Sequence, residues 1–349
     1  MRPRRLWAMP LVPLYAAGLA LKQAFASKPR ALTWPVISVG SLSAGGAGKT
    51  PVVIALAELL AANGWSPAVL SRGYGRAVVA RNTVAEVMPA YVDAADRFGD
   101  EPTLIARRTG LPVWVCADRC RAGEAAERVA LEHSFSPTTE EATVEADRPP
   151  LHILDDGFQH RRLARALDVV LVTAADLDDV LLPAGNLREP FSALRRADVV
   201  VVREEEAEAS MPRLSKLLRP GTPVWIIHRT LRLPQPLGIF SAGLRPMAFC
   251  GIARPDDFTA SLTAAGCGLV DTLAFADHHR YTHADIDQLV GVARTLGPTG
   301  FITTEKDAVK LTPELRERIE MMGPLVVVAL DATFIEPAGV LQTVRERLS

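Results

Sequence analysis

The chain has 349 residues, 48% of them hydrophobic and 23% charged, a balance that excludes a disordered or fibrous protein and leaves room for two α/β domains. A formal net charge of -1 argues against general nucleic-acid binding. Cys116, Cys120, Cys250 and Cys267 form no C-x-x-C pair, and nothing in their spacing marks a zinc site or a disulfide framework, so a reducing, cytosolic compartment is expected.

The balanced total hides an asymmetric start. No Asp or Glu precedes Glu58, whereas Arg2, Arg4, Arg5, Lys22, Lys28 and Arg30 crowd the opening segment around an uncharged run from Leu6 to Leu21. Sixteen helical residues reach only about 24 Å, short of a hydrocarbon core of roughly 30 Å, and Pro10 and Pro13 interrupt the first half. The segment therefore predicts an interfacial helix with its basic flanks at anionic headgroups. A buried core helix is one rival. A cleaved secretory signal is another, but it would carry a nucleotide-binding domain to a compartment lacking ATP.

Apolar, β-branched runs then alternate with helical patterns. Strands are predicted at Val36 to Val39, Ala68 to Leu70, Val113 to Cys116, Leu151 to Leu154, Val169 to Thr173 and Val199 to Val202. Helices are predicted at Pro51 to Asn63, Glu101 to Thr109 and Arg119 to Glu132. This rhythm implies a parallel sheet covered on both faces, with ligands gathered at the carboxyl ends of the strands. Arg76 to Phe98 and Ser134 to Pro150 read as poorly structured, the second as a surface insertion. A Pro-, Leu- and Arg-rich linker is expected over 229–246. A smaller α/β unit would follow over 247–349, with strands at Met247 to Cys250, Gly300 to Thr303 and Leu325 to Leu330.

The first strand runs into Ser43-Ala44-Gly45-Gly46-Ala47-Gly48-Lys49-Thr50, followed by Pro51 at a helix start. Glycines let backbone N–H groups turn inward around phosphates, Lys49 can reach the β- and γ-phosphates, and the Thr50 hydroxyl can hold Mg²⁺. Ser43 stands where the strict pattern has glycine. Leu151 to Leu154 ends in Asp155-Asp156, the form expected of a second metal-binding element, since Mg²⁺ needs only one or two carboxylates besides waters and phosphate oxygens.

Other groups admit two readings. Asp100 and Glu101 at a helix start are either a cap or a base for a hydroxyl proton, and Asp277-His278-His279 supplies candidate partners from the second unit. Ser71-Arg72-Gly73-Tyr74-Gly75-Arg76, Asp118-Arg119 and Pro183 to Pro190, with Arg188 and Glu189, carry arginine forks suited to phosphates or to structural ion pairs. Thr303 to Lys310 follows a strand, and so either lines a cleft or caps the next helix.

Taken in order, Val39 to Pro51, Ser71 to Gly75, Gly99 to Pro102, Asp155 to His160, Leu182 to Gly185, Leu187 to Glu189, Asp277-His278 and Thr304 to Lys310 resemble the tetraacyldisaccharide 4'-kinase family. The resemblance runs through most of the chain. It implies a P-loop NTPase-like parallel-sheet domain over 31–228, a second, smaller α/β domain, and an N-terminal membrane-associated helix over 1–30. It further implies ATP with Mg²⁺, and transfer of the γ-phosphate to the 4'-hydroxyl of an acylated glucosamine disaccharide 1-phosphate. The setting would be the cytoplasmic face of the inner membrane, peripheral or monotopic, with no nucleic acid and no protein partner implied. By the same resemblance Lys49 binds phosphates, Thr50, Asp155 and Asp156 organise Mg²⁺, Asp100 acts as base and His278 orients or tunes it. Arg119, Arg188 and Glu189 would be further active-site groups, Glu189 toward the metal. The alternative is a P-loop GTPase or ATPase switch, or a metallochaperone, without a lipid acceptor. A membrane-binding module with a vestigial nucleotide site is a third reading.

Overall fold

A computed structural model describes residues 5–25, 28–76, 80–134, 148–233 and 245–348. Arg2, Arg4, most of the expected insertion and the middle of the expected linker lie outside them. The described strands are β1 (Val36–Ser41), β2 (Ser66–Ser71), β3 (Ala85–Glu86), β4 (Val113–Val115), β5 (Pro150–Asp155), β6 (Leu167–Leu171), β7 (Val199–Arg203), β8 (Val224–Arg232), β9 (Met247–Cys250), β10 (Asp271–Ala274), β11 (Phe301–Thr304) and β12 (Leu325–Phe334). They form one sheet in the order β10-β9-β11-β12-β8-β7-β6-β1-β5-β2-β4-β3.

From β7 through β4 neighbouring strands are parallel, as the alternating pattern predicted. Parallel crossovers put helices on both faces, so these strands read as unbroken apolar runs; all five residues of β7 are buried. One face packs Val39, Ile153 and Val169 against α2 (Lys49–Ala62), the other packs Val170, Val200 and Leu214. Val52 to Ala57 are all buried, because α2 lies within the core rather than across its edge.

The second half pairs β9, β10 and β11 in parallel around its own core of Phe249, Phe301, Ile286 and Leu289. The two halves are joined by β12, which runs parallel to β11 over Leu325 to Val328 and antiparallel to β8 over Ala329 to Phe334. Two expectations about domain limits shift accordingly. β8 continues through Arg232, into the expected linker, because its ladder with β12 extends that far. The last helix, Pro337–Leu348, buries Val340 and Val344 in the first core, so the chain after β12 returns to the first half.

Among the described residues of the expected poorly structured stretch, Arg76 and 80–98 are more ordered than its composition suggested. α3 (Ala94–Phe98) lies there, as does β3, and Arg76 is buried with Nε donating to Arg97 O at 2.9 Å and Nη1 to Thr83 O and Val115 O. A buried arginine that satisfies three carbonyls can order a segment lacking apolar periodicity. Gly99 matters for a different reason. Its φ is 100°, and a Cβ there would meet Tyr74 O at 2.5 Å, so only glycine lets the chain pass and start α4 (Asp100–Thr109) at this point.

The N-terminal segment forms a 3₁₀ turn over Leu6–Leu11 and then α1 (Val12–Ala24), with Pro13 in the first turn. No residue of α1 is buried, which removes the core-helix reading. Leu6, Trp7, Leu14, Leu21 and Phe25 are each more than 60% exposed. Among the described residues no helix is long and apolar enough to cross a membrane.

Candidate active site

The phosphate loop leaves β1 and re-enters the fold at α2. Gly45, Gly46 and Gly48 have φ of 76°, 67° and 90°, the left-handed values that turn successive N–H groups toward one point. The loop is pinned from outside: Ala44 N–H donates to Asn186 O at 2.8 Å, and Arg203 Nη2 donates to Ala47 O at 2.9 Å. Ser43 is buried, bridges Leu187 and lies outside the left-handed region, so the missing glycine carries no backbone strain. Lys49 Nζ lies 3.4 Å from Ser41 Oγ and 3.5 Å from Asp156 Oδ1. Thr50 follows in the first turn of α2.

Because β5 is parallel to β1 with Val39 opposite Asp155, the aspartate pair emerges beside the loop. The two carboxyls differ in surroundings. Asp155 is 3% exposed and accepts from Ser71 Oγ at 2.9 Å; burial, then Glu101 and Asp156, push it up to about 7. Burial would raise Asp156 too, but Lys49 and the Arg188 guanidinium hold it well below the usual carboxylate range. Arg188 forks on it, Nη1 to Oδ2 at 2.8 Å and Nη2 to Oδ1 at 2.7 Å. A buried carboxyl that resists ionisation, next to a threonine hydroxyl and a phosphate loop, suits a hard divalent cation, whose charge would offset the burial. Among the described residues no cluster of three or more His, Cys, Asp or Glu forms a complete metal cage, as Mg²⁺ shared with phosphate oxygens and water does not require one.

Facing the loop, Asp100 at the start of α4 meets His278 from the second half, His278 Nδ1 lying 2.8 Å from Asp100 Oδ2. Burial works against the Asp100 charge, yet the His278 hydrogen bond and Lys306 hold it at about 2. The same bond raises His278 despite its burial. Lys306 Nζ lies 3.1 Å from Glu101 Oε1, 3.6 Å from Asp277 Oδ1 and 3.5 Å from His278 Nε2. The Tyr74 ring packs on the imidazole with centroids 4.8 Å apart. His278 has φ of 60°, a costly value for a residue with a Cβ, so its backbone is held in place by its surroundings.

These groups border a cleft of about 630 Å³ between the two halves, lined by Gly45, Lys49, Arg72, Asp155, Arg188 and His278 among others. Its rim includes Arg5, whose N–H donates to Ala184 O at 2.7 Å. Two further expected residues do not border the cleft. Glu189 is buried with both oxygens engaged by Arg196 and one also by Gln23 of α1, so in this structure it anchors the N-terminal helix. It differs from Arg188 because adjacent side chains leave the chain on opposite sides. Arg119 is buried, with Nη1 on Ala117 O at 2.7 Å; burial and then Arg72 lower its pKa, while Asp156 and Asp155 stabilise its charge. Sequence reasoning missed Arg203, left Lys306 without a role of its own, and did not foresee that Glu101 and Asp277 meet at Lys306. A charged residue ending a four-valine strand was the available signal for Arg203.

A phosphate loop at the end of one parallel strand, a carboxylate pair at the end of the next, and a carboxylate–imidazole pair across the cleft define a phosphate-loop kinase. The family profile described as tetraacyldisaccharide-1-P 4'-kinase matches residues 4–349. Relatives named tetraacyldisaccharide 4'-kinase include one from Koribacter versatilis, 38% identical over 333 residues with 92% of each chain covered, and one from Geobacter metallireducens, 37% identical over 350 residues with 94% and 96% covered. A solved LpxK from Aquifex aeolicus, in complex with ATP, is similar with a TM-score of 0.71 and 28% identity over 98% of this chain and 99% of that one. The chain belongs to the tetraacyldisaccharide-1-P 4'-kinase family. That membership sets aside the switch and metallochaperone alternatives.

Proposed function

We propose that this protein transfers the γ-phosphate of ATP to the 4'-hydroxyl of a tetraacylated glucosamine disaccharide 1-phosphate, forming lipid IVA. The observation that carries the reading is the Asp100–His278 contact at 2.8 Å, facing a phosphate loop across one cleft. A nucleotide switch needs no such pair, whereas a hydroxyl acceptor needs a carboxylate within reach and an orienting partner.

In this reading the residues of the loop, Ser43 to Thr50, wrap the phosphates and Lys49 releases Asp156 to bind them. Mg²⁺ would be held by Thr50 and Asp155, with Asp156 close by; when bound, it neutralises charge on the phosphate oxygens. Arg188 is placed to exchange Asp156 for the transferring group, because a guanidinium fork fits both. Arg119 contributes positive potential from behind the pair. Asp100 accepts the hydroxyl proton during in-line displacement, and His278 holds and tunes it. No covalent phosphoenzyme is involved.

Residues 31–228 supply the nucleotide side and 247–349 most of the opposing wall. The exposed apolar residues of Leu6–Leu11 and α1 support a peripheral or monotopic reading, in which this segment lies in the interface on the cytoplasmic face of the inner membrane, with ATP at hand. Tyr15 Oη donates to Arg188 O at 3.0 Å, which ties that helix to the phosphate-binding arginine. The test is to incubate the purified protein with γ-labelled ATP, Mg²⁺ and acylated disaccharide 1-phosphate in detergent. Label in the lipid is expected; label released only as phosphate, or no turnover, would sink the proposal.

A further inference from the structure

The motif Thr304 to Lys310 has no place yet in the chemistry, and its contacts converge on one residue. Thr304 Oγ1 accepts from Asp307 N–H at 3.1 Å, a helix cap, and Glu305 pairs with Arg108 of α4 at 2.7 Å. Asp307, fully buried, accepts from Gly251 N–H at 3.0 Å and from Tyr281 Oη at 3.0 Å, and pairs with Lys310 at 2.7 Å. Gly251 O in turn accepts the backbone N–H of His278 at 3.2 Å. The motif thus fixes the His278 backbone through Gly251, and this is how a left-handed φ persists there.

Lys306 acts on the side chain. Its ammonium has three donors and no acceptor, so an imidazole nitrogen 3.5 Å away is a favourable neighbour only as a bare lone pair. Glu101 and Asp277 hold the ammonium in that place. We propose that Lys306 is a positioning residue that keeps Nε2 of His278 unprotonated and the Nδ1–H directed at Asp100, while tying α4 to the second half of the fold. This rests on the Asp100–His278 reading above but concerns a residue which that reading leaves without a role.

The charged groups facing the ring are Asp100 and Glu101 from α4, Asp277 from its own loop and Lys306 from the helix Glu305–Ala308; Lys310 acts from beyond Asp100, and Tyr74 covers one face. The acids favour the imidazolium and Lys306 opposes it. Replacing Lys306 by Met removes the opposing charge and frees Glu101 and Asp277, so both changes move the His278 titration upward.

The test is a pH series of ¹⁵N spectra of the His278 ring in the full chain, together with kinetics. In the native protein the neutral ring is expected with Nε2 bare. In Lys306→Met the midpoint rises by about one pH unit or more. The acid limb of the kcat profile follows it, and the KM for ATP stays within about twofold. Lys306→Arg, which keeps the charge, restores the midpoint. A native neutral ring protonated at Nε2, or a midpoint unchanged in Lys306→Met, overturns the assignment. The ring spectra need no turnover, so they separate this claim from the kinase reading; should Lys306→Met not fold, the native tautomer and Lys306→Arg still decide it.

Discussion

The two walls of the cleft are built on different principles. The nucleotide wall is local: β1 and β5 are hydrogen-bonded neighbours, and their parallel register alone brings Lys49, Thr50, Asp155 and Asp156 together. The proton-transfer wall is composite, since Asp100 and Glu101 start α4 while His278 and Lys306 lie 178 and 205 residues further along the chain, respectively, and meet them only when both halves are folded. The first wall is preassembled by one sheet; the second depends on how two halves sit. Substitutions on the two sides should therefore separate nucleotide binding from transfer.

The largest effect is expected from Lys49→Met, which removes the ammonium at the end of the phosphate loop. Turnover should fall by about 10²–10³, with ATP affinity falling alongside it in calorimetry. Retained ATP affinity would break the contrast between the walls. Gly99→Ala sharpens it from the other side, since the added Cβ meets Tyr74 O at 2.5 Å in a left-handed backbone one residue before Asp100. A loss of about 1–3 kcal/mol in denaturant unfolding is expected, with transfer reduced more than ATP binding.

The smallest effect is a pH slope. Asp155 is raised by burial to about 7, against about 4 in an unfolded chain, so the folded protein holds a proton there that the unfolded chain has lost. Its contribution to stability is full below pH 4 or so and is lost as pH rises through about 7. Without added Mg²⁺, urea unfolding should thus show stability falling over that window, and Asp155→Asn should flatten the fall. Asp156, lowered instead, contributes the opposite sign at much more acidic pH.

The contrast between the walls also explains what could be read from the sequence. The phosphate loop, the aspartate pair and the parallel sheet are short-range patterns, written in contiguous residues, and they were legible. Asp100 and His278 could be named by resemblance, but no local pattern says that they touch. Arg203 and Lys306 gain meaning only from contacts across the fold, and so does Glu189, through its contacts with Arg196 and Gln23. The double role of β12, parallel to one strand and antiparallel to another, has the same origin. Arg76 shows the converse, an unpromising segment ordered by three carbonyl contacts from one buried side chain.

The central claim is that Asp100 belongs to the transfer wall and not to nucleotide binding. Asp100→Asn keeps the size of the side chain and an acceptor for His278 while losing most of its basicity, so ATP affinity by calorimetry and single-turnover transfer to the lipid acceptor can be compared on one protein. The account predicts ATP affinity within about twofold of native and transfer slower by about 10²–10⁴. Near-normal transfer by that variant would contradict it.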